Sequence, residues 1–444
     1  MAAIINSILL LIGLFFFFKK PIYGLFYYIL WCSFACFIVD IFIPIQIYEQ
    51  SYLFDKTAYL YIYICGIIHV VRNIQYYNRY EIIPLILSVL LLGYVVFLGV
   101  MRSTLLPFMT LFSYWLTFIP MWLLFRTEGD ELDLLKIKKY LRIALSVEIV
   151  LAVSQYMFGF GYSSFVSSIA ENGAENIVGT FRRYNLFADN VSLLVLSILI
   201  IFFHKRQVVS FVDFILILLG IILVFFSGAR TEFAALLLAL SFVLIARFKS
   251  NWQLLIVFVS LSFVVVSTVI ANLDSIFDAD SEGNEQRQLQ AINGVTEGQN
   301  DYLGETSTLF LTVLLWNEFT KDTDNYLFGP GKLYESKFGY LGIVCDGGSL
   351  SDSFLALYLC ETGIVGVVLL FLVLLAIVVS CIQPLYALSM VLYLLVVSLT
   401  DPGLFQGNSA FFLFLCIAYI NKREQDEIEI GENDNSVISP VFTG

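Results

Sequence analysis

Residues 353–379 read SFLALYLCETGIVGVVLLFLVLLAIVV, a run in which Glu361 is the only charged side chain. A helix of about 20 apolar residues crosses the roughly 30 Å hydrocarbon core of a bilayer, so this run is long enough to span a membrane. Similar runs recur along the chain of 444 residues, which is 59% apolar and 14% charged. Soluble domains are about 45–50% apolar and about 25% charged. The composition therefore excludes a soluble globular protein and predicts an all-α polytopic integral membrane protein.

Breaking the apolar runs at charges, Gly and Pro predicts thirteen transmembrane helices, within a range of 12–14. The first run is followed by Lys19 and Lys20 rather than preceded by them, the order expected of a retained first span and not of a cleaved signal peptide. The predicted spans are residues 3–18, 22–47, 58–71, 82–100, 105–125, 140–160, 186–203, 208–226, 231–246, 252–271, 353–379, 384–400 and 409–420.

Lys and Arg counts in alternate loops predict the orientation, because cytoplasmic loops retain these residues. Placing the C-terminus in the cytoplasm puts fifteen of the 24 Lys and Arg inside and nine outside. The chain then divides into N-terminal transmembrane helices (1–160), helices with outer arginine motifs (161–271), a large extracytoplasmic loop (272–352), C-terminal transmembrane helices (353–420) and an acidic cytoplasmic tail predicted to be disordered (421–444). The inner segment 126–142 is predicted to be an amphipathic surface helix.

The net charge and the counts of His and Cys exclude several classes of function. The formal charge of −12 has the wrong sign for a nucleic-acid-binding surface. The two histidines and seven cysteines form no cluster with metal-ligand spacing, so no metal and no cofactor is expected. Asp278 and Asp280 resemble the metal-binding pair of nucleotide-sugar transferases. They lie in the predicted outer loop, away from cytoplasmic nucleotide sugars, and are interpreted as solvated loop charge.

The stretch from Ser227 to Leu240, SGARTEFAALLLAL, places an arginine where a new helix is predicted to begin on the outer side. Backbone N–H groups at a helix start, the helix dipole and an arginine together suit a phosphate or pyrophosphate. The alternative is a capped hairpin in which Arg230 pairs with Glu232 or with lipid headgroups. Spacing alone leaves both interpretations open.

A second arginine motif lies at Gly179 to Asn190, GTFRRYNLFADN. Arg182 and Arg183 are adjacent at an outer membrane boundary, where the orientation rule disfavours cations. Lipid headgroups and a substrate pyrophosphate are the two candidate partners. Asp189, just inside the following span, is a candidate to neutralise the arginines, because an unpaired charge at membrane depth is costly.

A third set of polar residues lies where the long loop enters the span 353–379. Asp352 is a candidate helix N-cap, and it is also a candidate base that takes a proton from a sugar hydroxyl. Asp346 lies six residues earlier in the same loop. Glu361 lies roughly 13 Å into the helix and is expected to face protein or a cavity rather than lipid.

These motifs resemble the O-antigen ligase/polymerase superfamily. SGARTEFAALLLAL is similar to its small-residue, arginine and helix signature, GTFRRYNLFADN to its earlier loop-to-helix element, and the FGPG turn at 328–331 with DSFLALYLCETGIVGVVLLF at 352–371 to its later signature. The resemblance covers about residues 179–371. Many spans and one large outer loop before the last few spans fit the same family.

The resemblance implies a GT-C-like, metal-independent glycosyltransferase of the bacterial inner membrane. Its implied substrates are undecaprenyl-pyrophosphate-linked glycans in contact with membrane lipids, with a chain-length regulator and a flippase as candidate protein partners. It implies that Arg182 or Arg183 and Arg230 bind pyrophosphate. The expected catalytic residues are Asp352 and Arg230, with Asp346, Glu361 and Asp189 as secondary candidates.

Within this family the chain resembles a Wzy-type polymerase more than a ligase. Ligases of the superfamily have a histidine just before the late span, where this chain has Asp352 and Ser353, and its predicted outer loops contain no histidine. A polymerase would join repeat units of O-antigen, capsule or exopolysaccharide. The alternatives are a ligase that transfers glycan to lipid A core and, from another class, a flippase or transporter without bond-forming chemistry, for which broken helices and inverted repeats would be expected.

Overall fold

The structure is a computed structural model, and all regular secondary structure among the residues it describes is helical. It describes residues 2–21, 23–28, 31, 60–62, 64–69, 71–72, 79–102, 134–158, 177–181, 184–204, 210–248, 323–329, 354–381, 383–399, 412–417 and 420. The main helices are α1 (Ala2–Lys19), α2 (Arg79–Arg102), α3 (Leu134–Phe158), α4 (Tyr184–His204), α5 (Phe211–Phe226), α6 (Arg230–Phe248), α7 (Thr323–Phe328), α8 (Phe354–Val379) and α9 (Pro384–Val397).

Four helical segments are long and apolar enough to cross a membrane. They have at least 18 residues, and at 1.5 Å per residue 18 residues extend about 27 Å, close to the hydrocarbon thickness of a bilayer. The sequence-based prediction of an all-helical protein with apolar spans is confirmed at this level. The four segments are Ile137–Phe158, Tyr184–Phe203, Thr231–Phe248 and Thr362–Val379, and shorter apolar helices include Phe211–Phe226 and Pro384–Val397.

Helix α4 forms the centre of the bundle. In its apolar segment 83% of the residues are buried, against 28% to 44% in the other three long segments. It packs against α3, α5, α6 and α9. The neighbouring α5 instead exposes large apolar side chains such as Phe211 (76% exposed) and Phe214 (56%), a face suited to lipid. Because α4 is enclosed by other helices, its polar side chains must find hydrogen-bond partners in the protein or in a bound molecule.

Helices α3 and α5 run in the same direction, because each is in contact with the other in its first half and again near its end. Near their starts, Arg142 of α3 forms an ion pair with the buried Asp213 of α5. Near their other ends, the rings of Tyr156 and Phe226 lie 5.3 Å apart between centroids. Ser210 caps the start of α5, accepting a hydrogen bond from the backbone N–H of Asp213 at 3.3 Å.

Helices α4 and α6 are parallel to each other and antiparallel to α3. Lys138, near the start of α3, lies over the ring of Phe202 near the end of α4. Arg247 at the end of α6 lies over the neighbouring ring of Phe203. At the opposite end of the bundle, Tyr393 of α9 contacts Asp189 near the start of α4. We call these the Arg142 end and the Tyr393 end; the starts of α4 and α6 both lie at the Tyr393 end.

Two helices differ from the sequence-based prediction. The segment 126–142 is predicted to be an amphipathic surface helix and 140–160 a span, whereas the described residues 134–142 belong to the same continuous helix as the span and form the first turns of α3. Their apolar face continues that of the span, with Ile137 and Leu141 both buried. Helix α8 is not continuous, because Gly363 has the non-helical angles φ 68° and ψ −175°. The predicted span 353–379 therefore has a break about nine residues from its start.

Candidate functional site

A cluster of buried polar side chains lies at the Tyr393 end. The Tyr393 hydroxyl donates a hydrogen bond to Asp189 Oδ1 at 2.9 Å. Glu232, in the first turn of α6, acts electrostatically on the same hydroxyl. Asp189 is 4% exposed, Glu232 3% and Tyr393 0%. Three helices thus place two carboxylates and a phenol together in an apolar bundle, where each charge needs a specific partner.

Asn190 adds an amide to the same turn of α4. It is 2% exposed, and among the described residues neither its nitrogen nor its oxygen has a hydrogen-bond partner. A buried amide without a partner costs about 1–3 kcal/mol. This cost is removed when a polar group of a bound molecule or of the chain pairs with the amide.

The turn that starts α6 is tight. Gly228 has φ +79°, and the Ser227 hydroxyl donates to Val224 O at 2.7 Å while accepting from the backbone N–H of Ala229 at 3.4 Å. The carbonyl of Ala229 accepts the first helical hydrogen bond, from Phe233 N at 3.0 Å. Because alanine has no side chain that can cap a helix, the first N–H groups of α6 are not satisfied by the residue at the capping position. Arg230 is the first residue of this helix.

A second turn, at residues 177–181, precedes α4 and is held by two side chains of α3. Glu148 Oε2 accepts from Thr180 N at 3.1 Å, and its Oε1 accepts from Thr180 Oγ1 at 2.5 Å. Gln155 Oε1 accepts from Val178 N at 3.0 Å and from Gly179 N at 2.8 Å, while Gln155 Nε2 donates to Gly179 O at 2.8 Å. The two side chains together therefore hold three consecutive residues of this turn.

Helix α8 meets α7 at its break. A Cβ at Gly363 would lie 2.5 Å from Leu327 O and 2.6 Å from Gly329 N, so only glycine allows this approach. The Tyr94 hydroxyl of α2 lies 2.6 Å from Phe328 O and 2.7 Å from Thr362 O. We call this contact the Tyr94 junction. It brings together described residues of the two motifs noted at 328–331 and 352–371, namely Phe328 and Gly329 of the first and Thr362 and Gly363 of the second.

The predicted site residues fall into three groups. Asp189 is placed in the polar cluster, with the Tyr393 hydroxyl among its partners. Arg230 and Glu361 are placed as helical positions, Arg230 at the start of α6 and Glu361 two residues before the break in α8. The remaining predictions lie outside the described residues; they concern Arg182, Arg183, Asp346 and Asp352.

Sequence reasoning missed Glu148, Gln155, Tyr393 and Tyr94. Glu148 carried a usable signal, since an ionisable residue within an apolar span indicates a functional or specifically paired position. The two tyrosines carried none, because aromatic residues are common throughout this chain, with 25 Tyr and 42 Phe. Within the described part of the chain, no group of three or more His, Cys, Asp or Glu side chains could hold a metal ion.

Comparison with known proteins adds no assignment. No protein-family model matches the chain, and no curated protein matches it. The functional argument therefore depends on the residues and their geometry.

Proposed function

We propose that this protein is a polysaccharide polymerase that joins undecaprenyl-pyrophosphate-linked oligosaccharide repeat units on the outer face of a bacterial inner membrane. The proposal unites the arginine motifs of the sequence with the arrangement of the helices that carry or follow them. The growing O-antigen, capsule or exopolysaccharide chain would be the donor, and a new lipid-linked repeat unit the acceptor.

The observation that supports this function best is the shared position of the starts of α4 and α6. Both helices start at the Tyr393 end, and they pack against each other. Arg182 and Arg183 directly precede α4 in the sequence, and Arg230 begins α6. Two helix N-termini lie at one end of the bundle, and in the sequence three arginines precede or begin these two helices. This combination would suit a pyrophosphate, because helix dipoles and guanidinium groups both favour anions.

The proposed reaction is a glycosyl transfer. An acceptor hydroxyl oxygen forms a bond to the anomeric carbon of the donor, while the bond from that carbon to the pyrophosphate oxygen breaks. A carboxylate takes the hydroxyl proton, for which Asp352 is the leading candidate and Asp346 the next. The arginines stabilise the charge on undecaprenyl pyrophosphate as it leaves, and donors already in position are the most effective form of such stabilisation.

A transporter is the second candidate, because two observations favour it. Helix α8 is broken at Gly363, and Glu148 is a fully buried carboxylate within an apolar span. Broken helices and intramembrane carboxylates are common in transporters. The glycosyltransferase remains the better supported function, since a transporter would not require two helix starts at one end of the bundle that arginines precede or begin in the sequence.

The test is polysaccharide length on a gel, in a strain that lacks the gene and is complemented with wild type or variants. The variants are Arg230→Ala, Arg182→Ala with Arg183→Ala, and Asp352→Asn. Arg102→Ala is the matched control, because it removes an arginine of the same predicted side that ends α2 rather than starting a helix. Membrane levels are compared by immunoblot.

A polymerase predicts a ladder with wild type and the control, and single repeat units with the arginine and Asp352 variants at equal membrane level. Loss of single units as well in the deletion strain would indicate a transporter. Polymer that accumulates on the lipid carrier without transfer to lipid A core would indicate a ligase. A normal ladder from the arginine variants would exclude the proposed pyrophosphate site.

A further inference from the structure

The 177–181 turn makes five hydrogen bonds with two side chains of α3, Glu148 and Gln155. We propose that Glu148 and Gln155 form a clamp, the Glu148–Gln155 clamp, that positions the Arg182–Arg183 segment for pyrophosphate. This inference rests on the proposed function, since it assigns positioning residues to the same site. Neither clamp residue would touch the substrate.

The spacing of the clamp along α3 explains how two side chains reach one turn. Residues seven apart in a helix lie about 20° from the same radial direction and about 10 Å apart along the axis. Glu148 therefore reaches Thr180, and Gln155 reaches Val178 and Gly179. Of the five hydrogen bonds made by the clamp, four use backbone groups of the turn, so the clamp fixes the path of the main chain.

Burial indicates that the clamp has a specific purpose. Glu148 is 0% exposed and Gln155 2%, and both lie in a segment apolar enough to cross a membrane. A buried charge is costly, and apolar side chains of similar volume commonly hold two helices together as well or better. What an apolar pair does not supply is the direction of hydrogen bonds, which selects one backbone conformation of the turn.

Gly179 shows how closely the turn lies against its surroundings. Its φ is +54°, and a Cβ at this position would lie 2.3 Å from Glu148 Oε2 and 2.4 Å from Phe187 Cδ2. The turn is closed by a hydrogen bond from Phe181 N to Val178 O at 2.9 Å. It is therefore in contact with the clamp on one side and with the first turn of α4 on the other.

The clamp bears on the proposed pyrophosphate site because Arg182 and Arg183 directly follow the clamped turn in the sequence. Arg182 and Arg183 are the two residues between Phe181, which ends the turn, and Tyr184, which begins α4. The clamp fixes the chain before the pair, and the packing of α4 fixes it after the pair. Holding binding groups in place before the ligand arrives lowers the entropy lost on binding. Loosening the turn should therefore weaken pyrophosphate binding without removing an arginine.

The clamp is tested on the full-length protein in lipid nanodiscs, with undecaprenyl pyrophosphate as the probe and undecaprenyl monophosphate as the reference ligand. Thr180→Val removes a hydroxyl donor with little change in shape, whereas Thr180→Ser retains it. Glu148→Gln replaces one carboxyl oxygen by an amide nitrogen and so removes one acceptor. Ser154→Ala is the matched control on the same helix, because among the described residues the Ser154 hydroxyl bonds only carbonyls of its own helix, Val150 O and Leu151 O. Melting temperature and membrane level are measured for each variant.

We expect Thr180→Val and Glu148→Gln to raise the Kd for undecaprenyl pyrophosphate about tenfold, the effect of losing one well-placed hydrogen bond. Thr180→Ser and Ser154→Ala should stay within about twofold of wild type. The difference between pyrophosphate and monophosphate affinity should shrink in the two clamp variants. In cells, the same two variants should shorten the ladder at unchanged membrane level.

The results separate failure of the clamp from failure of the proposed function. If wild type binds the pyrophosphate, the arginine variants do not, and Thr180→Val binds as Ser154→Ala does, the clamp is refuted and the function stands. If wild type shows no preference for the pyrophosphate over the monophosphate, the proposed function is refuted. A clamp variant whose affinity loss is matched by a loss of melting temperature, with no rescue by Thr180→Ser, would show a purely structural role and would also overturn the positioning proposal.

Discussion

Replacing Gly363 by alanine should destabilise the protein more than the same replacement at Gly93 or Gly228. The φ of +68° and ψ of −175° lie in a region that only glycine occupies readily, and forcing another residue into it costs about 1–3 kcal/mol. The new methyl carbon would also lie 2.5 Å from Leu327 O and 2.6 Å from Gly329 N. Both atoms are backbone, so α7 would have to move away from α8, and overpacking of this kind costs about 1–3 kcal/mol. The two effects together give about 2–6 kcal/mol.

The other two glycines separate strain from close contact. Gly228 has φ +79° but open space around its Cβ position, so Gly228→Ala should cost only the backbone strain, about 1–2 kcal/mol. Gly93 is helical with open space around it, and Gly93→Ala should be neutral or stabilising by up to about 1 kcal/mol.

The assay is unfolding of the purified protein in mixed detergent micelles as the SDS fraction is raised, with a heating series as a second measure. The expected order of stability is Gly93→Ala at or above wild type, then Gly228→Ala, then Gly363→Ala. Equal destabilisation by Gly228→Ala and Gly363→Ala would refute the close approach of α7 to the break in α8. A Gly363→Ala variant as stable as wild type would refute the break itself.

Three further substitutions test individual contacts. Asp213→Asn should destabilise the protein by about 1–3 kcal/mol in the same assay. This is less than for a fully buried ion pair, because the Arg142 side chain is 33% exposed. A double-mutant cycle with Arg142→Ala should show coupling, and additive effects would exclude the ion pair. Tyr393→Phe should cost about 1–3 kcal/mol, because it leaves Asp189 Oδ1 without that donor, and Asp189→Asn in the same background should then cost less than it does in wild type. Tyr94→Phe should cost about 1 kcal/mol and should speed limited proteolysis within 272–352, whereas an unchanged cleavage rate would show that the Tyr94 junction does not hold this part of the chain.

The helices were predictable from the sequence because a membrane span is a local signal. An uninterrupted apolar run of sufficient length can be recognised as a membrane span from the local sequence alone. The prediction 186–203 corresponds to the helix Tyr184–His204, and 208–226 to Phe211–Phe226. The helix ends differ by a few residues, because capping by side chains such as Ser210 sets them rather than hydropathy.

The partners of the polar side chains were not predictable, because they are distant in sequence. Tyr393 and Asp189 are 204 positions apart, and Tyr94 and Thr362 are 268 apart. Hydropathy shows that a residue lies in a span, but it does not show which neighbouring helix its side chain faces. The break at Gly363 was hidden for a related reason, since the stretches before Glu361 and after Gly363 are both apolar and continue the pattern of a helix.

The packing of α4 against α6 relates the two arginine motifs to each other. Read separately, the stretches 179–190 and 227–240 are two short elements at two predicted boundaries, and each has an interpretation that involves only lipid headgroups. In the structure α4 packs against α6 with both starts at the Tyr393 end, and the turn before α4 is fixed by Glu148 and Gln155. Lipid headgroups would require neither a fixed turn nor two adjoining helix starts, because a headgroup adapts to the position of a cation. The proposed function gives both features a purpose, since a ligand with two linked phosphates would be bound by groups next to the fixed turn and at the two helix starts.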